Sequence, residues 1–304
     1  MIKAVIHGER FDHKEKMKIK IFIPTSNNNI WSGENVTLYC IGQMLRNSHD
    51  VYWAFLDFQM YCSPDVLITR EDISFDGLLI RYCNQRVEHR QDNQLFLFQS
   101  ERLLGYNPPD IRLYSTVAYP TFETITNEKQ DYSLMILRFH DFFNDEYPVI
   151  EFFVKNNLPL ILIAESGRMG LNNEIFNILI SLKQPITIFN RIDRTCYLSL
   201  LAHAKAYLFS AFLTESISIL EAFYYKTPVV VIDNPKYNLL DEGFANRGNA
   251  FYTDVSNIKS TLSNLNPKLI DESYKQVVIK QNEFRGWLND KIAFYNSPEL
   301  LCSK

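Results

Sequence analysis

Apolar positions along this chain alternate between two rhythms. Short continuous apolar runs are followed by stretches in which apolar residues recur every three or four positions. The first strand is predicted at residues 18–24, where Lys18 and Lys20 alternate with isoleucines ahead of Phe22 and Ile23. A polar stretch with Asn27, Asn28 and Asn29 follows, and a helix is predicted to open at Gly33-Glu34. Its Val36, Leu38, Tyr39, Ile41, Met44 and Leu45 fall at helical spacing. Asn47 to Asp50 interrupts that pattern, and residues 51–55 read as a second strand. A strand, a helix and a strand in this order predict parallel pairing through a right-handed crossover. Runs at 65–68, 77–80 and 94–98 predict further strands, with another across 111–117.

A second series begins at Tyr132. Strands are predicted at 134–137, 158–164, 186–189, 206–209 and 229–232. Helices are predicted between them at 147–155, 173–183, 195–204 and 216–225. Uninterrupted apolar strands separated by amphipathic helices imply a parallel sheet covered on both faces. The polar, charged stretch 124–131 is the predicted linker. The chain therefore divides into an appendage (1–17), an N-terminal Rossmann-like domain (18–126), a C-terminal Rossmann-like domain (132–270) and a closing segment (271–304). In that segment, helical patterning over 275–295 packs back across both domains. A ligand cleft is expected between the carboxyl ends of the two sheets.

Composition narrows the choice of ligand. With 304 residues, 46% of them hydrophobic, the chain has material for two cores. A formal charge of -4 offers no basic surplus for bulk nucleic-acid binding. The five cysteines (Cys40, Cys62, Cys83, Cys196, Cys302) form no C-x-x-C pair, which predicts reduced thiols and a cytoplasmic location. The first 20 residues lack the apolar core of a signal peptide, and Met17 is a candidate internal start. No apolar run approaches the ~20 residues of a membrane span. No metal is expected, because no histidines stand at metal-ligand spacing and no Asp-x-Asp ends a strand.

The richest segment is Thr214 to Asp233. Glu215 precedes a helix whose first-turn N–H groups, from Ser216, Ile217 and Ser218, are suited to an anion. Glu221 lies within that helix among Ile219, Leu220 and Ala222. A carboxylate there either accepts hydrogen bonds from the vicinal hydroxyls of a ribose, faces solvent, or joins a structural ion pair. Arg138 follows a predicted parallel strand directly, which puts its phosphate-matching fork on the ligand edge. Arg191 and Arg194 follow the strand at 186–189 in the same manner. Ser32-Gly33 stands between the first strand and helix, where backbone can approach a phosphate. His49 reads as structural. His89 lies in a charged loop, and His140 follows Arg138 toward the cleft.

These segments, in this order, resemble the retaining GT-B glycosyltransferases, which use nucleotide-sugar donors. The similarity runs through Ile30–Val51, Leu134–Arg138, Ile186–Ala204, Ser210–Asp233 and Asn246–Phe251. The resemblance implies two Rossmann-like domains facing across a cleft, the N-terminal one reduced, and a nucleotide-diphosphate sugar as substrate with no cofactor. It implies that Glu221 holds the donor ribose and Arg138 the diphosphate. It places Ser32, Gly33, Arg191, Ser216 and Ile217 at the donor, and Arg138 and Glu215 in catalysis. The chain also departs from the family. The family's first glutamate falls at Leu213, so Glu215 is displaced by two residues. The family's lysine falls at Phe143, with Arg168 or Arg191 as substitutes, and its second loop glycine is Ser32. Two alternatives stand beside a transferase. One is a degenerate member that binds a nucleotide-sugar or a partner without turnover. The other is a nucleotide-sugar epimerase of the same fold.

Overall fold

A computed structural model of the protein describes residues 16–23, 33–55, 77–83, 87, 93–99, 101–126, 128–137, 145–164, 173–182, 185–190, 192–210, 216–233 and 243–296. The predicted strand at 65–68 lies outside these residues, as does the appendage up to residue 15.

The N-terminal sheet contains β1 (Lys18–Ile23), β2 (Asp50–Phe55), β3 (Leu78–Cys83), β4 (Gln94–Phe98) and β5 (Ser115–Val117), all parallel, in the order β2-β1-β3-β4-β5. Helix α1 (Gly33–Arg46) connects the first two strands. It buries Leu38, Ile41 and Leu45 against Ile19 and Ile21 of β1 and Ile80 of β3, and Val36 is buried as well. Tyr39, counted into the apolar face from sequence, instead stays 41% exposed. The stretch predicted as one strand at 111–117 divides in two. Short helices α2 (Glu101–Gly105) and α3 (Pro109–Arg112) precede β5. Pro109 opens α3, where its missing N–H has no helical partner to lose.

The C-terminal sheet contains β6 (Ser133–Ile136), β7 (Leu160–Ile163), β8 (Ile186–Phe189), β9 (Ala206–Phe209), β10 (Val229–Ile232) and β11 (Phe251–Thr253). Their parallel order is β11-β10-β9-β6-β7-β8. This is the doubly wound Rossmann order, in which the winding reverses between β6 and β9. Helices α4 (Tyr147–Lys155), α5 (Asn173–Ile180), α6 (Arg194–His203) and α7 (Ile217–Tyr224) fill the crossovers. Helix α6 starts one residue earlier than its apolar pattern, because Asp193 Oδ1 caps the Cys196 N–H at 2.8 Å. One apolar cluster joins α6, α7, β9 and β10, and a second joins α4, β6 and β7.

Two further helices follow β11. The first, α8 (Ile258–Ser263), is short. The second, α9 (Pro267–Tyr295), is 29 residues long and starts well before the predicted 275. Asn266 caps it by accepting the Lys268 N–H at 3.0 Å, with proline in its first turn. Val277 of α9 packs into the C-terminal core, whereas Phe284, Leu288 and Ile292 pack into the N-terminal core with α1. One helix thus seals both domains.

The connector between the sheets is pinned along its length. Gln281 of α9 donates to Pro120 O, Arg285 donates to Thr121 Oγ1 at 2.9 Å, and the Tyr225 hydroxyl donates to Glu123 O at 2.8 Å. Lys129 Nζ reaches Ala202 O at 2.5 Å, Tyr225 O at 3.1 Å and Thr227 Oγ1 at 2.7 Å. Its ammonium closes carbonyls at the C-terminal ends of α6 and α7.

Candidate functional site

In an open parallel sheet the ligand crevice lies beyond the carboxyl ends of the strands, where the winding reverses. In the C-terminal domain that point lies between Leu137, after β6, and Ser210, after β9. Helix α7 begins beside it. Its N-cap, Ser216, has extended backbone and makes no side-chain cap to its own first turn. The Ser216 hydroxyl instead lies 2.8 Å from Ser218 Oγ, which lies 2.9 Å from the Tyr207 hydroxyl. Tyr207 is fully buried on β9. A hydroxyl chain therefore runs from the core to the helix end, where the macrodipole favours negative charge.

Glu221 lies one turn further along α7, with its side chain 1% exposed. Arg194, the first residue of α6, forms an ion pair with Glu221 Oε1. The Tyr197 hydroxyl, one turn along α6, donates to Glu221 Oε2 at 2.9 Å. The Arg194 guanidinium also lies 5.6 Å from the Tyr197 ring centre. Burial, together with the adjacent Glu221 carboxylate, holds the Tyr197 phenol well above its usual value, so it stays a donor. Burial works against the charged guanidinium of Arg194, but Glu221 outweighs it and the arginine is held above its usual value.

The N-terminal domain reaches this cluster through α1. Cys40 packs against the C-terminal core, within the electrostatic reach of Arg194 and Glu221. Burial pushes its thiol up to about 11, against the pull of Arg194. Tyr119, at the start of the connector, packs against both cores.

Of the residues singled out from sequence, Ser216, Ile217 and Glu221 share α7, and Arg194 joins them through the ion pair. Gly33 is the first residue of α1. Ser32, Arg138, Arg191 and Glu215 lie outside the described residues, as do Phe143, Arg168, Leu213, His89 and His140. His49 sits between α1 and β2, where burial lowers its pKa despite the opposing pull of Asp50. Sequence reasoning missed Tyr197, Tyr207 and Cys40, and it named Ser218 only for its backbone N–H, not for its hydroxyl. For Tyr197 a signal existed, since it stands three residues after Arg194 and so shares its helical face. Nothing in the sequence marked Cys40, whose contact spans the two domains. Among the described residues no group of three or more His, Cys, Asp or Glu is placed to hold a metal ion. No described helix is long and apolar enough to cross a membrane.

No protein-family model matches the chain, and no curated protein sequence does. Solved structures do match. HepE from Anabaena, in complex with UDP-glucose, superposes with a TM-score of 0.60 at 11% identity, covering 90% of this chain and 100% of that one. AviGT4, a glycosyltransferase involved in avilamycin A biosynthesis, gives 0.55 at 13% identity over 91% and 98% of the two chains. SnogD, a glycosyltransferase from Streptomyces nogalater, gives 0.51 at 10% identity over 87% and 96%. With its two parallel-sheet domains and these neighbours, the chain has the GT-B fold.

Proposed function

We propose that this chain is a glycosyltransferase that moves a sugar from a nucleotide-diphosphate sugar to an acceptor hydroxyl, retaining the anomeric configuration. The observation that carries the reading is the N-terminus of α7 at the winding reversal of a GT-B domain, with Glu221 one turn inside the same helix. The UDP-glucose bound to the similar HepE structure supports a donor of this class.

In this scheme the bond between the sugar's anomeric carbon and the diphosphate breaks, and the diphosphate leaves with the electron pair. A new bond forms from the anomeric carbon to the acceptor oxygen, whose proton passes to the departing diphosphate. Charge grows on the leaving diphosphate, so groups that meet it there stabilise the transition state more than the ground state. The first turn of α7 at Ser216 and Ile217 and the guanidinium of Arg138 take that part. Together they supply the counter-charge, so the scheme needs no metal ion. Glu221 receives the ribose hydroxyls, and Glu215 meets the sugar. Arg191 flanks the donor, and Ser32-Gly33 approaches the diphosphate from the other domain. The reaction is assigned to the cytoplasm.

A thermal-shift screen of nucleotide-diphosphate sugars tests donor binding, because a ligand specific for the folded state raises the melting temperature. The best donor then goes into a transfer assay with wild type, Glu221→Ala and Arg138→Ala, and the product anomer is read by NMR. Full activity in both variants would overturn the site, and an inverted product would overturn the stereochemical assignment.

A further inference from the structure

Glu221 cannot receive a ribose in the arrangement described. Its side chain is 1% exposed, Arg194 occupies one carboxylate oxygen and Tyr197 the other. Of these two partners Arg194 is the one able to leave. It is the first residue of α6, its side chain is 16% exposed, and four rotatable bonds carry its guanidinium. Tyr197 is a rigid ring set one turn deeper.

The place Arg194 can move to is close. Ser218 and Glu221, three residues apart, share a face of α7. The backbone of Glu221 lies one turn, ~5 Å along the helix axis, from the first-turn amides proposed to receive the diphosphate, and the long Arg194 side chain can swing across that span. A diphosphate carries more negative charge than a single carboxylate and suits the guanidinium fork.

Resting on the donor-binding reading above, we propose that Arg194 is an exchangeable lock. Without donor it closes Glu221 off. When the donor arrives, the guanidinium passes from Glu221 to the diphosphate, and the freed carboxylate oxygen accepts the ribose hydroxyls. No charge is stranded, since Arg194 trades one anion for another and Glu221 replaces one set of donors with another while keeping Tyr197. Cys40 of the N-terminal domain packs on the C-terminal core within the electrostatic reach of Arg194, so the exchange also changes the charge that this residue faces. Arg194 is a positioning residue in the locked state and a donor contact in the open one.

Calorimetry with inorganic diphosphate, and with UDP, GDP, ADP and dTDP, tests the lock on wild type, Glu221→Gln and Arg194→Met/Glu221→Gln. Glu221→Gln releases the guanidinium, so diphosphate should bind roughly tenfold tighter than to wild type, within the usual range of coupling between sites. The double variant should lose that gain. A wild type that binds a nucleoside diphosphate, while Glu221→Gln gains nothing for inorganic diphosphate, overturns the lock alone. A wild type that binds none of these probes overturns the donor site and the lock with it. A measurement on wild type covers the case in which Glu221→Gln fails to fold. The Arg194 Nε–H resonance, assigned by its loss in Arg194→Lys, should shift on adding inorganic diphosphate. An unmoved resonance under saturating diphosphate overturns the exchange.

Discussion

The Gln281 side-chain amide donates to Pro120 O at 2.6 Å across 161 residues of sequence. Gln281 lies midway along α9, where the helix passes from one core to the other, and Pro120 opens the connector. This bond and the neighbouring pins fix the connector against the helix that joins the two cores. The bond is buried, so its loss leaves an acceptor without water.

Gln281→Leu should therefore cost about 1–3 kcal/mol, the penalty of an unsatisfied buried carbonyl. Urea denaturation measures it. Limited proteolysis should cut the segment 118–131 faster in the variant, and unchanged cleavage would show that the connector is held elsewhere.

Leu288 is fully buried in the N-terminal core although it belongs to the C-terminal helix. Leu288→Ala should destabilise by about 2–5 kcal/mol through lost transfer energy and a cavity. Phe294, on the same helix but 47% exposed, should tolerate alanine within about 0.5 kcal/mol. Similar losses in the two variants would contradict the placement of α9 against α1.

The Arg194–Glu221 pair predicts unequal effects of two substitutions at one position. Glu221→Ala leaves the enclosed guanidinium without its counter-charge and should cost about 3–5 kcal/mol. Glu221→Gln keeps an acceptor oxygen and should cost less. Chemical denaturation of both variants against Arg194→Met checks the order, and equal losses for alanine and glutamine would argue that charge is not the issue.

Alkaline pH should weaken the fold in steps. Burial raises the Cys40 thiol from 9.0 to about 11. The unfolded chain therefore loses that proton first, and stability falls between pH 9 and about 11. Burial raises the Tyr119 phenol from 10.0 to about 12, which extends the loss over that range. Lys129 works in the opposite direction. Burial lowers it from 10.5 to about 8, so stability gains from this group across that interval. Urea midpoints measured from pH 7 to 11 should show a shallower alkaline decline in Cys40→Ala, and a steeper one in Lys129→Met.

Much of the fold was legible along the chain, because its central strands, β4, β9 and β10 among them, are buried on two faces and read as nearly unbroken apolar runs. Residues 206–209 and 229–232 were bounded in advance for this reason. Strand β11 escaped, since its three residues are too few to set a rhythm. The start of α9 escaped because its first turns pair with the surface of α7 and present a weak apolar pattern. At the site, a mid-helix carboxylate among apolar neighbours marked Glu221 as a residue needing partners. Which partners those were could not be read, because Arg194 lies 27 residues away on another helix.

The sequence by itself determined a parallel α/β chain in two halves, with anion-ready helix ends after its strands, because periodicity and capping act over a few residues. Only the tertiary structure decided three things: the reversal of winding between β6 and β9, the passage of α9 through both cores, and the enclosure of Glu221 by Arg194 and Tyr197. Each of these depends on which distant elements become neighbours. Strand order and crossover packing fix that, and neither leaves a local trace in the chain.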